Sequence, residues 1–254
     1  MDERERLVED ILEYREQKFA TPFYRDFVPN CYICGNCSSS TSLVTVEHSF
    51  VVLEAPHSVT ARESESEYWQ CEDVETTYCC QLTCTACGQQ YISSGTGSLE
   101  EEVHTEHGLI HVDVFFPKYF IPTMYLFPIP SSVPASIKKI LVSAFDLAWM
   151  DYSAAANKLR VALELMTKEL VPPSGKSSLG NMINDISDEK IKSLFKSIKW
   201  LGNQGSHEAN LKEYDLACAF STIEHALPLV YPEVVDDTEI MRFASLVNRA
   251  KGSV

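Results

Sequence analysis

Cys31-Tyr-Ile-Cys34-Gly35 and Cys84-Thr-Ala-Cys87-Gly88 are one chemical device used twice. Two cysteines separated by two residues can place both sulfurs on one metal. A glycine after the second cysteine permits the tight turn that aims backbone N–H groups at the thiolates. Two such knuckles give a closed tetrahedral four-sulfur set, the structural type of zinc site with no open position for chemistry. The spacing therefore assigns Zn²⁺ to Cys31, Cys34, Cys84 and Cys87, as a staple that supplies folding energy to a small module. Buried free cysteines would not repeat this pattern, and iron–sulfur ligation is the lesser rival.

Cys37, Cys71, Cys79 and Cys80 remain, irregularly spaced, with His48, His57, His104 or His107 as potential co-ligands of a second site. Cys218 falls on a helical pattern and reads as core. His104, His107 and His111 have helical metal spacing, but the alternating pattern downstream and Pro117 argue for loop and strand. They read as surface histidines.

A second place for chemistry lies in residues 188–207, DEKIKSLFKSIKWLGNQGSH. On a helical wheel Ile191, Leu194, Phe195, Ile198 and Leu201 share a core face. Lys192, Lys196, Lys199, Asn203 and His207 share a different face if the helix continues through Gly202 and Gly205. Such a stripe would set a phosphate backbone beside an imidazole able to act as general acid or base. The structural alternative is a solvated lysine face ending in a Gly202-Asn203 C-cap, and residue types alone favour it.

The elements that must position these groups divide near residue 130. The net charge of −15 is uneven: residues 1–130 carry 21 acidic and 7 basic side chains, whereas residues 131–254 carry 15 and 14. The first part should repel nucleic acid, and the second, near neutral, could bind it through a local patch. Residues 4–18 read as a short helix. Residues 42–53, 89–92 and 109–116 read as strands, with a polar, acidic stretch over 62–76. Pro128, Pro130 and Pro134 punctuate the chain. Helices follow over 134–149, from a cap at Asp151 or Ser153 to Pro172-Pro173, and over 177–186, 188–202, 212–227 and 237–250. The charged N-terminus lacks signal-peptide character, and the apolar region 114–130 is broken by Lys118 and four prolines, so no membrane span is expected. These features read as a cytoplasmic protein, in which metal binding is the better use of nine cysteines.

The C-terminal half resembles the domain-of-unknown-function family 4145, a helical family grouped with the HEPN superfamily. The resemblance rests on Pro130 and Val133, Ala144-Phe145-Asp146, Arg160-Val-Ala-Leu-Glu164-Leu and Trp200-Leu-Gly-Asn203-Gln-Gly-Ser-His207, across roughly 130 to 230. It implies a bundle of four or five helices, often dimeric. Active HEPN proteins are metal-independent ribonucleases with an Arg, a polar residue and a His. Asn203 and His207 match that motif, but Gly202 stands where the Arg belongs. Lys199 is the nearest upstream cation and a poor bidentate phosphate ligand. Arg160 is a stand-in from the neighbouring helix, unless it pairs with Glu164 four residues on, the preferred reading.

The expectation is an α+β protein: a β-rich zinc-ribbon module over 1–129 and an HEPN-like α-helical bundle over 130–254. By resemblance alone its setting is prokaryotic defence against phage or foreign DNA, as a zinc-containing interaction protein with a protein partner and a homodimer through the bundle. The alternative is an RNA-cleaving toxin using His207, Asn203 and a cation from Lys199 or Arg160, with RNA on the Lys192/Lys196/Lys199 face.

Overall fold

The structure is a computed structural model of the full chain. It describes Glu9 and residues 22–29, 32–39, 43–63, 70–104, 108–171, 178–207, 211–233 and 238–249. The helix expected over 4–18 lies outside the described residues except for Glu9.

The first half is an antiparallel sheet. Its strands are β1 (Leu43–Thr45), β2 (Val51–Glu54), β3 (Thr76–Cys84), β4 (Gln90–His104) and β5 (Gly108–Ile121). The order is β1-β3-β4-β5, and β2 pairs with β3 on the same edge as β1. The single strand expected over 42–53 is thus two short ones, in register with opposite ends of β3: Leu43 faces Cys84 and Glu54 faces Thr76. The break falls at His48, whose φ of 59° is left-handed. β3 alternates buried and exposed residues along most of its length, as a strand with one face on the core must. α1 (Pro56–Glu63) and a 3₁₀ turn (Cys71–Asp73) occupy part of the acidic stretch between β2 and β3.

Then come α2 (Ala135–Ala148), α3 (Tyr152–Leu170), α4 (Leu179–Asn184), α5 (Glu189–His207), α6 (Glu213–Val230) and α7 (Thr238–Arg249). Their starts follow local chemistry. Asp151 Oδ1 accepts from Ala154 N–H at 2.8 Å, Ser178 Oγ from Asn181 N–H at 3.3 Å, and Asp188 Oδ1 from Ile191 N–H at 3.0 Å. Pro134 precedes α2 as its cap residue rather than lying in its first turn. On α5, Phe195 and Ile198 are fully buried and Ile191 nearly so, with Leu194 and Leu201 packed against them, as the wheel requires.

One continuous apolar cluster runs from the sheet into the helices. Tyr32 and Phe120 meet Trp149 at centroid distances of 5.9 and 5.3 Å, and Tyr125 meets Phe145 at 5.4 Å. This aromatic seam joins the strand layer to α2. No helix among the described residues is long and apolar enough to cross a membrane.

Candidate metal centre and the α5 face

Four cysteines converge where β3 turns into β4: Cys34, Cys37, Cys84 and Cys87, with every sulfur within 4.8 Å of the others. Cys34 and Cys87 sulfurs are 3.7 Å apart, as are those of Cys37 and Cys84. A disulfide would need about 2.05 Å. A tetrahedron of sulfurs at ~2.3 Å from a central ion has edges of about 3.8 Å. The spacing fits a metal.

Cys31 lies outside the described residues; among these the set is four cysteines, with a first knuckle on Cys34-Gly-Asn-Cys37. Its backbone repeats that of Cys84-Thr-Ala-Cys87. Ser38 N–H donates to Cys34 C=O at 2.8 Å, as Gly88 N–H does to Cys84 C=O at 2.7 Å. Cys34 N–H donates to Ser39 C=O, as Cys84 N–H does to Gln89 C=O. The residue after the second cysteine is left-handed in both, with φ 57° at Ser38 and 75° at Gly88. A serine therefore occupies the position where the sequence pattern asks for glycine. Gly35 has another reason to be glycine: a Cβ there would lie 2.7 Å from the Thr123 carbonyl oxygen and 2.9 Å from the Tyr125 ring. The Cys34-x-x-Cys37 spacing was also present in the sequence, without the glycine signal that singled out Cys31 and Cys34.

The surroundings treat the sulfurs as charge-bearing. Gly35 N–H donates to the Tyr91 hydroxyl at 2.9 Å, leaving the phenolic hydrogen for Cys34 Sγ at 3.0 Å. Burial, then the neighbouring Cys34, hold the Tyr91 phenol above its usual range, so it stays a donor. Asn36 Nδ2 reaches Cys87 Sγ at 3.5 Å. That contact, with the Gln89 backbone, brings the Cys87 thiol down to about 6. At Cys37 the Ser39 backbone lowers the value, but desolvation and hydrogen bonds from Cys87, Cys34 and Cys84 outweigh it and raise the thiol to about 12. One sulfur is ready as thiolate, and a metal bound here would displace the proton of another to solvent. A metal held by all four sulfurs would have no open coordination position, the arrangement of a structural site. Of the remaining cysteines, Cys79 is exposed and Cys80 buried.

At the other candidate, α5 runs unbroken to His207, so Gly202 is a helix-interior residue and not a C-cap. The side chains of Asn203 and His207 lie outside the described set. The lysines stand in different surroundings. Lys192 is paired with Glu189. Lys196 and Lys199 border a recess of about 270 Å³ against α4, with Ser178, Gly180 and Trp200, and Lys199 Nζ lies 4.7 Å from the Trp200 ring centre. Gly202 is the close-approach point of α5 and α3. A Cβ there would sit 3.0 Å from Arg160 Cβ and 3.4 Å from the Ala156 carbonyl oxygen. No arginine fits at that position without separating the helices. The expected Arg160–Glu164 pair is not among the described contacts: Glu164 pairs with Lys168 at 2.7 Å instead. Arg160 Nε is buried with no hydrogen-bond partner among the described residues.

Two family models match the chain, one on each side of the proline-rich boundary. Residues 142–251 match the family described as Domain of unknown function (DUF4145), and residues 21–120 match Domain of unknown function (DUF8608). Neither description carries a function. No curated protein and no solved structure matches the chain.

Proposed function

We propose that this chain is a zinc-stapled interaction protein that works as a homodimer. The observation that carries the reading is α7. Ile240, Met241, Phe243 and Leu246 are 69, 62, 61 and 49% exposed, and no residue of the helix is buried. A helix that spends large apolar side chains on solvent has a partner surface waiting. The occupant we assign is α7 of a second copy. Glu239 and Arg249 are equidistant in sequence from the small Ala244, so antiparallel pairing about Ala244 brings each Glu239 toward the other copy's Arg249. Sedimentation of the full chain should give a dimer, and Phe243→Asp a monomer. A wild type that stays monomeric at tens of micromolar removes the homodimer.

Zn²⁺ is the ion we assign to Cys34, Cys37, Cys84 and Cys87, since an all-thiolate tetrahedron selects it over harder ions. Its role is to hold the β3–β4 turn against the segment around Ile33, which bridges to Tyr125. The bundle is read as HEPN-like and cytoplasmic, and the setting as prokaryotic defence; these rest on the resemblance of the C-terminal half alone. Deleting the gene should raise the efficiency of phage plating, and unchanged plating would remove that setting.

A second reading keeps one specific support. The unbroken α5 places Asn203 and His207 on the same helix as Lys196 and Lys199, and Arg160 reaches that helix with an unpartnered Nε. An RNA-cleaving toxin would use these groups. RNA integrity and growth on expressing wild type and His207→Ala decide between the readings. The interaction reading expects intact RNA and normal growth in both; cleavage abolished by the substitution would establish the enzyme.

A further inference from the structure

At the far end of the sheet from the four cysteines, a second group of metal ligands comes together. Glu101 and His111 face each other across β4 and β5 in direct register. His111 Nε2 lies 3.6 Å from Glu101 Oε1. Cys71 opens the 3₁₀ turn before β3 and is 2% exposed. One ligand atom from each of Cys71, Glu101 and His111 lies within 4.8 Å of the other two. Gln90, beside the cysteine cluster, and Glu101 are eleven positions apart along β4, a span of roughly 35 Å at strand rise.

We propose that Cys71, Glu101 and His111 form a second, solvent-open Zn²⁺ site. A cross-strand Glu–His pair explains itself as a surface contact. It does not explain a nearly buried thiol brought to the same point from a separate turn. Together the three supply sulfur, nitrogen and oxygen, a donor set that suits Zn²⁺ and excludes Mg²⁺ and Ca²⁺, which take oxygen ligands. Zinc bonds of ~2.0–2.3 Å require ligand atoms about 3.3–3.8 Å apart. The 3.6 Å contact already meets this. Closing the remaining distance requires Glu101 and His111 to shift, and their side chains are half in solvent.

Three protein ligands leave the fourth position to water or to an anionic group of a partner. This distinguishes the site from the four-cysteine centre, which is closed. The inference does not depend on the homodimer or on the defence setting. Nor does it require the four-cysteine centre to be filled, because it is read as a difference in metal content.

The test is metal content of the full chain, stripped of metal and reloaded with Zn²⁺, for wild type, His111→Ala and Glu101→Gln, with circular dichroism as a folding check. Both substitutions are at exposed positions and should leave the fold intact. The expected result is a loss of one equivalent in His111→Ala relative to wild type, and at least a tenfold weaker second site in Glu101→Gln. That equivalent should leave rapidly with a mild chelator, whereas the four-cysteine metal resists it. Loading Cys37→Ser with Co²⁺ should give thiolate charge-transfer intensity that falls on adding His111→Ala. Equal metal content in wild type and His111→Ala, or a Co²⁺ spectrum unchanged by His111→Ala, overturns the proposal.

Discussion

Cys37 carries the sharpest test at the scale of single residues. Cys37→Ser should lose the four-sulfur centre's metal to a mild chelator, because three thiolates leave the fourth position to water. Cys31→Ser should retain it. Zinc analysis of the two purified variants measures this directly, and the reverse outcome would move the first knuckle back to Cys31. Around the same centre, Tyr91→Phe removes the hydrogen bond to Cys34 Sγ and the acceptor of Gly35 N–H. Outer-shell donors of this kind are worth about 10–100-fold in metal affinity, so competition with a chromophoric chelator should show a loss of that size while the fold persists. Cys80 tests burial rather than coordination. Desolvation, then the adjacent Cys79, push its thiol up to about 12 from 9.0. The folded chain therefore keeps a proton that the unfolded chain releases above pH 9, and stability falls as pH rises from 9 toward 12. The Tm of wild type should drop more steeply through that window than the Tm of Cys80→Val; parallel curves would refute the assignment.

Gly202 decides how α3 and α5 can meet, and its prediction belongs to the elements. In an exposed helix, Gly→Ala adds about 1 kcal/mol of stability. Here the new Cβ would press on Arg160 Cβ, which is fixed to the α3 backbone and cannot swing aside. Overpacking of this kind costs about 1–3 kcal/mol, so the net effect of Gly202→Ala should be a loss near 1 kcal/mol. Gly202→Arg, which would restore an arginine before Asn203, should lose more and should not create a ribonuclease. Urea denaturation of both variants measures the order, and a stabilised Gly202→Ala would show that the helices separate without cost. The strands follow the same logic of local fit. The extended reading of 42–53 was right about residue type but not about continuity, since the chain must leave β3 and return within one edge. His48 takes positive φ within that excursion, which histidine tolerates better than most residues.

Whether sheet and helices unfold together is a question for the whole molecule. The Tyr32–Phe120–Trp149 contacts and the Tyr125–Phe145 contact bind the strand layer to α2 through buried aromatic surface. Phe120→Ala removes a 7%-exposed ring from that seam, a change that costs about 3–5 kcal/mol in well-packed cores. The expected outcome is one cooperative transition in wild type and a lowered one in the variant, followed by circular dichroism and by tryptophan emission. Two separate melts, with the helical signal unmoved by Phe120→Ala, would mean that the halves are energetically independent. The sequence by itself determined the elements and their chemistry. Proline punctuation placed the change from strands to helices, Asp151, Ser178 and Asp188 announced helix starts, and repeated Cys-x-x-Cys spacing announced a metal centre between the sheet's turn and an earlier loop. These are local signals, set by one residue's hydrogen bonds or by a period of two or 3.6. Only the tertiary structure decided which cysteines meet, that Ser38 could hold a left-handed turn, that Gly35 and Gly202 are spaces kept clear for a neighbouring backbone, and that Cys71 lies beside Glu101 and His111. Each of those depends on atoms brought close from distant parts of the chain, and no spacing along the sequence carries that distance.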